Sequence, residues 1–127
     1  MTRTVIESKT KTVIIGFDEP FCVIGERINP TGRKKLAAEL EVGNFETVLR
    51  DALEQVACGA TVLDVNSGAV FTNKMAEDPR YADNNFVEPP LMKALIEIIQ
   101  QTVDVPLCID SSVPGALEAG LMACEGR

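Results

Sequence analysis

The chain has 127 residues, of which 46% are hydrophobic and 24% charged, a composition typical of a globular domain with a core of its own. Its formal net charge of −7 argues against binding to nucleic acid or to an anionic membrane, because both need a basic surface. Histidine is absent, so we expect no metal site, and any chemistry must rest on carboxylates, amides or a bound cofactor.

Neither a membrane span nor an export signal is predicted. Residues 1–12 mix charged side chains with Thr and Val and lack the continuous apolar core of a secretion signal. The apolar stretch from Leu91 to Ile99 is interrupted by Lys93 and Glu97, and it falls short of the roughly 20 residues that a membrane helix needs. We therefore expect a cytoplasmic protein whose partner is a small molecule or another protein.

The cysteines are widely spaced and form no CxxC pair, which argues against a zinc ribbon and against a redox dithiol. They are Cys22, Cys58, Cys108 and Cys124. Cys22 and Cys108 lie inside apolar, strand-like runs, and we predict that both are buried free thiols.

The first half of the chain predicts a hairpin, a strand and a helix. Arg3 to Ile6 and Lys11 to Ile15 are β-prone runs separated by polar residues, so they predict a hairpin. Phe21 to Gly25 is a short apolar run that predicts a strand buried on both faces, followed by a polar segment over 26–35. Asn44 can cap a helix whose apolar residues recur at three- and four-residue spacing as far as Gly59.

The second half repeats the alternation of strand and helix. Thr61 to Val65 predicts a second strand, and an irregular stretch over 66–88 follows it. Pro89 and Pro90 suit the start of a helix. Val105 to Ile109 predicts a third strand. Ser111 or Ser112 can cap a last helix that has Pro114 in its first turn and Leu117, Leu121 and Met122 on its inner side.

Buried strands that alternate with helices predict an α/β fold with a parallel sheet. The segment GERINPTG lacks the glycine pattern typical of a doubly wound nucleotide-binding sheet, so we favour a barrel. We predict a hairpin over 1–20 and the first three βα units of a (β/α)8 TIM barrel over 21–127. A closed barrel takes about 250 residues, so we expect a truncated or split barrel. Its open sheet edges predict a homo-oligomer.

Each predicted strand ends in polar residues, at the end where a parallel barrel has its binding mouth. They are Glu26, Arg27 and Asn29, then Asp64 and Asn66, then Asp110, Ser111 and Ser112. Helix caps and turns are the favoured explanation of Ser111, Ser112 and Gly32. A carboxylate at the end of a buried strand, such as Asp64 or Asp110, is costly to desolvate and should have a partner or a ligand.

Three sequence blocks resemble one known family. They are GERINPTGRKK (25–35), GATVLDVN (59–66) and VPLCIDSS (105–112), and EAGLMACEG near the end fits as well. The resemblance runs from about Phe21 to Gly126, with the blocks in the same order and at comparable spacing. The family is the pterin-binding family, which contains the folate domain of cobalamin-dependent methionine synthase and the methyltetrahydrofolate corrinoid methyltransferases.

The resemblance implies a (β/α)8 barrel that holds a pterin ring in its mouth. Asp110 matches the family's pterin-binding aspartate on the third strand, and a carboxylate can accept hydrogen bonds from both the ring N–H and the exocyclic amino group. Asp64, Asn66 and Asn29 match further positions lining the mouth. Glu26 and Ser111 complete the candidate pterin-binding set.

The implied activity is transfer of the N5 methyl group between methyltetrahydrofolate and a corrinoid (cobalamin) carried by a partner protein or domain. A tertiary amine is a poor leaving group, so N5 must gain positive character. We assign no catalytic residue. We expect residues 1–127 alone to be inactive, because more than half of the barrel mouth would be missing.

Two alternatives remain, a dihydropteroate synthase-like enzyme and a noncatalytic pterin-binding module. Dihydropteroate synthases share the barrel but typically have a GGESTRPG-like loop after the second strand, whereas this chain has DVNSGAVFTNKM. That loop favours the methyltransferase. The segment from Val70 to Val87 is longer than in the simplest corrinoid methyltransferases.

A basic cluster follows the first predicted strand and consists of Arg27, Arg33, Lys34 and Lys35. Its charge suits the glutamate tail of a folate, and we treat Arg27, Arg33 and Lys34 as candidate tail contacts. A solvated loop face explains the same pattern equally well.

Overall fold

The computed structural model describes residues 2–127 as an antiparallel hairpin followed by three parallel strands that alternate with helices. The strands are β1 (Thr4–Glu7), β2 (Thr12–Ile15), β3 (Ile24–Ile28), β4 (Val62–Asn66) and β5 (Leu107–Asp110). The helices are α1 (Lys34–Glu41), α2 (Glu46–Ala57), α3 (Thr72–Glu77), α4 (Asn84–Thr102) and α5 (Pro114–Ala123), with a 3-10 turn at Pro79–Ala82. The predicted α/β class is confirmed.

The parallel sheet has the order β3-β4-β5 and, within residues 2–127, does not close into a barrel. Leu63 is paired with Leu107 and Val65 with Ile109, so these four residues lie on one face. Leu63 and Val65 are completely buried there. Asp64 and Asn66 alternate with them and lie on the opposite face, which we call the free face. The helices cover only the first of these faces.

Helices α2 and α4 supply most of the core against the covered face. Val48 and Ala52 of α2 and Leu95 and Ile99 of α4 are fully buried because each helix places its apolar residues at three- and four-residue spacing. Helix α5 lies beside α4 and reaches β5 through Gly120. A Cβ atom at Gly120 would lie 2.8 Å from Cγ2 of Ile109. Only glycine therefore allows this approach.

The first parallel strand starts three residues later than predicted, at Ile24. Phe21 is 90% exposed and Val23 is also exposed, so the predicted burial on both faces is wrong. The strand instead includes the polar Glu26 and Arg27, because an irregularity in the pairing between Gly25 and Ile28 places both polar residues opposite Asp64 alone.

Two helical segments begin where the sequence predicted irregular or polar chain. Helix α1 starts at Lys34, within the predicted polar segment 26–35, and continues beyond it to Glu41. Its Leu36 and Leu40 are buried. Helix α4 starts at Asn84, where Oδ1 of Asp83 accepts a hydrogen bond from the Asn85 N–H at 2.9 Å. Its prolines therefore lie within the helix and not at its start, and the predicted irregular stretch 66–88 also contains α3 and the 3-10 turn.

Helix α5 turns a different side to the core than predicted. Leu121 and Met122 are 67% and 82% exposed, whereas Ala116 and Gly120 are buried. The small residues face inward because they let the helix lie close to β5. Cys22 and Cys108 are free thiols, as predicted, but the predicted burial was wrong, since Cys22 is only half-buried and Cys108 is exposed on the free face of β5.

The hairpin lies at the N-terminal end of β5. Asp104, in the loop before that strand, accepts hydrogen bonds from the Ser8 hydroxyl at 2.6 Å and from the Thr10 hydroxyl. The backbone of Glu7 also pairs with that of Arg127. The C-terminal ends of the parallel strands lie at the other end of the sheet. No helix within residues 2–127 is long and apolar enough to cross a membrane.

Candidate functional site

The C-terminal ends of β4 and β5 bring four side chains together on the free face. The register pairs Asp64 with Cys108 and Asn66 with Asp110. Nδ2 of Asn66 donates a hydrogen bond to Oδ2 of Asp110 at 3.3 Å, and Oδ1 of Asn66 accepts one from the Gly68 N–H at 2.8 Å. The amide of Asn66 is thus held from both sides, and its N–H group is directed at the exposed carboxylate of Asp110.

Asp64 is the most buried carboxylate of this group. Burial raises the pKa of Asp64, and the negative charges of Asp110 and Glu26 raise it further, while a hydrogen bond with the Cys108 thiol acts in the opposite direction. Although Cys108 is exposed overall, partial desolvation of its thiol and the neighbouring Asp64 carboxylate raise the pKa of Cys108, which favours the protonated thiol. Three carboxyl groups from three strands therefore interact across the free face.

The turn after β3 supplies the next part of the site. Oδ1 of Asn29 accepts a hydrogen bond from the Thr31 N–H at 3.0 Å, which fixes a tight turn just beyond the strand. A depression of about 350 Å³ lies at this turn and is lined by Glu26, Arg27, Asn29, Thr31 and Arg33. Asn29 thus directly follows the end of the strand, as the sequence predicted, whereas Glu26 lies within β3.

The basic residues in and after β3 have different surroundings. Arg33 donates from Nη1 to Oδ2 of Asp51 at 2.9 Å, and Nε of Arg27 lies 3.9 Å from Oδ1 of the same carboxylate. Asp51 belongs to the buried face of α2. Lys34 is exposed beside a larger cavity of about 470 Å³, whose lining also includes Thr31, Gly68 and Val70. Of the candidate tail contacts, Lys34 has the greatest freedom to meet a ligand.

Ser111 lies behind the mouth. Its hydroxyl donates to Oε1 of Glu88 at 2.9 Å and accepts from the Val113 N–H at 3.0 Å. The hydroxyl is thus engaged in the turn from β5 to α5, whereas Ser112 is exposed.

Four residues near the site were not predicted from the sequence as site residues, namely Asp51, Gln55, Glu88 and Cys108. Asp51 and Gln55 are polar residues on the buried face of α2. Their spacing among the apolar residues of that helix is the sequence feature that could have predicted their burial. Gln55 accepts the Arg27 N–H at 3.0 Å and so fixes the irregular part of β3. Glu88 gave no signal, because the helix that carries it was predicted to start after it.

The donor and acceptor chemistry of the free face suits a flat, donor-rich ring. Asp64 and Asp110 offer acceptor oxygens, and Asn66 adds an oriented amide, whereas a pterin presents a ring N–H and an amino group along one edge. Within residues 2–127, no group of three or more His, Cys, Asp or Glu side chains is placed to hold a metal ion.

A family model described as pterin binding enzyme matches residues 25–127. The chain therefore belongs to the family of pterin-binding enzymes, which includes both methyltransferases and dihydropteroate synthase-like members. The match covers β4, β5 and nearly all of β3, so it contains every strand end that carries a candidate pterin contact. The predicted resemblance is confirmed at this level, and it supports a pterin or folate-type ligand.

Proposed function

We propose that the protein is a folate-dependent methyltransferase that moves a methyl group between methyltetrahydrofolate and a corrinoid on a partner protein or domain. The observation that supports this most directly is the pairing of Asn66 with Asp110 at adjacent strand ends, in a chain of the pterin-binding enzyme family. The carboxylate of Asp110 has two acceptor oxygens, which is the number of donors that a pterin edge presents.

Asp110 is the principal pterin contact in this proposal. Its carboxylate accepts two roughly parallel hydrogen bonds from the ring N–H and the exocyclic amino group. The N–H group that Asn66 directs at Oδ2 limits rotation of the carboxylate, so the acceptors are oriented before the ligand arrives. Each such charge-assisted bond stabilises the complex by about 1.5–3 kcal/mol.

The acidic free face favours positive charge on the bound folate. Asp110 and Glu26 both lie close enough to Asp64 for their charges to raise its pKa. When the methyl group leaves N5, that nitrogen must have gained positive character, and nearby carboxylates stabilise such charge. The corrinoid, carried by a partner protein or domain, would accept or donate the methyl group.

The loop after β4 favours this activity over pterin condensation. It reads NSGAVFTNKM and continues into α3, with Phe71 buried at the start of that helix. The GGESTRPG-like loop typical of dihydropteroate synthases is absent from the sequence.

Methyl transfer can be tested with the protein expressed from its complete reading frame. Incubation with methyltetrahydrofolate and chemically reduced cobalamin should change the cobalamin absorbance as it becomes methylated, and Asp110→Asn should abolish most of that change. No change with the wild-type protein would contradict the proposal. Formation of dihydropteroate from p-aminobenzoate and a pterin pyrophosphate would establish the condensing enzyme instead.

A further inference from the structure

We propose that Glu88 is a positioning residue of the pterin site, which holds the ends of β4 and β5 in the arrangement that binds the ring. The inference deepens the proposed function and rests on it for the identity of the ligand. Glu88 lies in the second turn of α4, behind the sheet, and is only 4% exposed.

One carboxylate oxygen links the two strand ends. Oε1 of Glu88 accepts a hydrogen bond from the Ser67 hydroxyl at 3.0 Å and another from the Ser111 hydroxyl at 2.9 Å. Ser67 directly follows Asn66, and Ser111 directly follows Asp110. Asn66 and Asp110 are thus each next in sequence to a serine that is hydrogen-bonded to Oε1 of Glu88.

Hydrogen bonds of the local backbone connect the two serines to the positions of Asn66 and Asp110. The Ser111 hydroxyl also accepts from the Val113 N–H, which shapes the turn out of β5. On the β4 side, Ser67 is fully buried, and the next residue, Gly68, donates its N–H to Asn66. A movement of either serine would therefore change the 3.3 Å separation between Asn66 and Asp110.

A carboxylate at this position is not explained by packing. Burying a charged group costs free energy, and an apolar side chain of similar volume would pack between helix and sheet at least as well. Moreover, Pro89 and Pro90 lack N–H groups, so the carbonyls of Asn85 and Phe86 receive no helical hydrogen bonds from them. The start of α4 therefore depends more than usual on the bonds that Glu88 makes to the strand ends.

The test compares Glu88→Ala with Glu88→Gln in the protein expressed from its complete reading frame. Methyltetrahydrofolate affinity is measured by titration calorimetry, and stability by urea unfolding. Alanine removes both hydrogen bonds and should weaken binding about tenfold or more, as loss of a supporting residue does at other preorganised sites. Glutamine keeps an acceptor oxygen for both serines and should restore affinity to within about threefold of wild type.

Ile99→Val is the matched control, because Ile99 is fully buried in the same helix but lies away from the strand ends. It should lower stability and leave the affinity of the folded protein unchanged. If Glu88→Ala does not fold, Ser111→Ala takes its place, since it removes one of the two links without deleting a charge. It should weaken binding about threefold, a smaller loss because the Ser67 link remains.

Two outcomes would overturn the inference and are distinguishable. Wild-type protein that binds methyltetrahydrofolate, together with a folded Glu88→Ala (or its Ser111→Ala substitute) of equal affinity, would show that Glu88 serves stability alone. Wild-type protein that binds no methyltetrahydrofolate would overturn the proposed function itself, and the positioning role with it.

Discussion

The guanidinium of Arg33 lies 2.9 Å from Oδ2 of Asp51, a carboxylate whose side chain is 1% exposed. Asp51 lies on the face of α2 that otherwise carries apolar residues, and its Oδ1 has no hydrogen-bond partner within the described residues. The positive charge of Arg33 therefore compensates a buried negative one. This pairing favours a structural role for Arg33 over the contact with a folate tail that the sequence suggested.

Replacing Arg33 should destabilise the fold because it leaves the Asp51 carboxylate buried with only Arg27 nearby, at 3.9 Å. Removing one partner of a buried pair usually costs 3–5 kcal/mol, and since Arg33 is about one-third exposed we expect about 2–4 kcal/mol for Arg33→Met. Urea unfolding measures this loss. Lys35→Met is the control, since Lys35 is exposed, and its stability should stay within about 0.5 kcal/mol of wild type.

Lys34 is the basic residue best placed to meet the glutamate tail of a folate. It is exposed beside the larger cavity. Lys34→Met should weaken binding of a triglutamate form of methyltetrahydrofolate by about two- to fivefold, as expected for a solvent-exposed charge pair, and should affect the monoglutamate less. Calorimetric titration with both forms measures the difference. Equal losses for the two forms would contradict a contact with the tail.

Asp110→Asn should weaken pterin binding without unfolding the protein. The amide replaces an acceptor oxygen with a donor, so one charge-assisted bond to the ring is lost, and the affinity should fall by roughly 10- to 150-fold. Stability should change little, because Asp110 is exposed at the end of β5. Calorimetry and thermal unfolding on the same variant separate the two effects. A lower melting temperature with intact folate binding would exclude Asp110 from the site.

The stability of the protein should carry a pH dependence due to Asp64. Burial, with the charges of Asp110 and Glu26, raises the pKa of Asp64 in the folded protein. A raised pKa means that the contribution of Asp64 is fully favourable below its unfolded pKa of roughly 3.9 and is lost as pH rises through the folded pKa. Wild type should therefore lose stability relative to Asp64→Asn over that interval. A pH series of urea midpoints for both proteins measures the difference, and parallel curves would contradict the assignment.

Gly120→Ala should destabilise the protein although alanine favours helices. The added Cβ would meet Cγ2 of Ile109 at 2.8 Å and Cγ of Met92 at 2.9 Å, so both side chains must move. Overpacking of this kind costs about 1–3 kcal/mol, and the gain in helix propensity offsets about 1 kcal/mol of it, so we expect a net loss of up to about 2 kcal/mol. Gly115→Ala is the control, because its Cβ would meet only Pro89, at 3.3 Å. A more stable Gly120→Ala would contradict the tight contact.

The alternation of strands and helices could be predicted because it depends on local patterns. The run of apolar spacing that begins near Phe45 specified α2, and the apolar runs before Asp64 and Asp110 located β4 and β5 to within two residues. The extension of β3 beyond Gly25 could not be predicted in this way, since the bulge that admits Glu26 and Arg27 depends on contacts with α2 and β4.

The candidate site was predictable where residue type and strand position coincide. Asp64, Asn66 and Asp110 lie at the C-terminal ends of apolar strands, which the sequence shows. The register of β4 and β5 brings the three residues together. Two roles depend on long-range contacts and were not visible, the pairing of Arg33 with Asp51 and the hydrogen bonds from Ser111 to Glu88.

The alternation of side chains along β4 and β5 also bears on how this protein can change during evolution. Positions 63, 65, 107 and 109 lie on the face that the helices cover, whereas positions 64, 66, 108 and 110 lie on the free face. Under the proposed function, a substitution in the second set changes the ligand contacts and leaves the packed interior little affected. The ligand specificity of the protein could then change one residue at a time while the packed core stays the same.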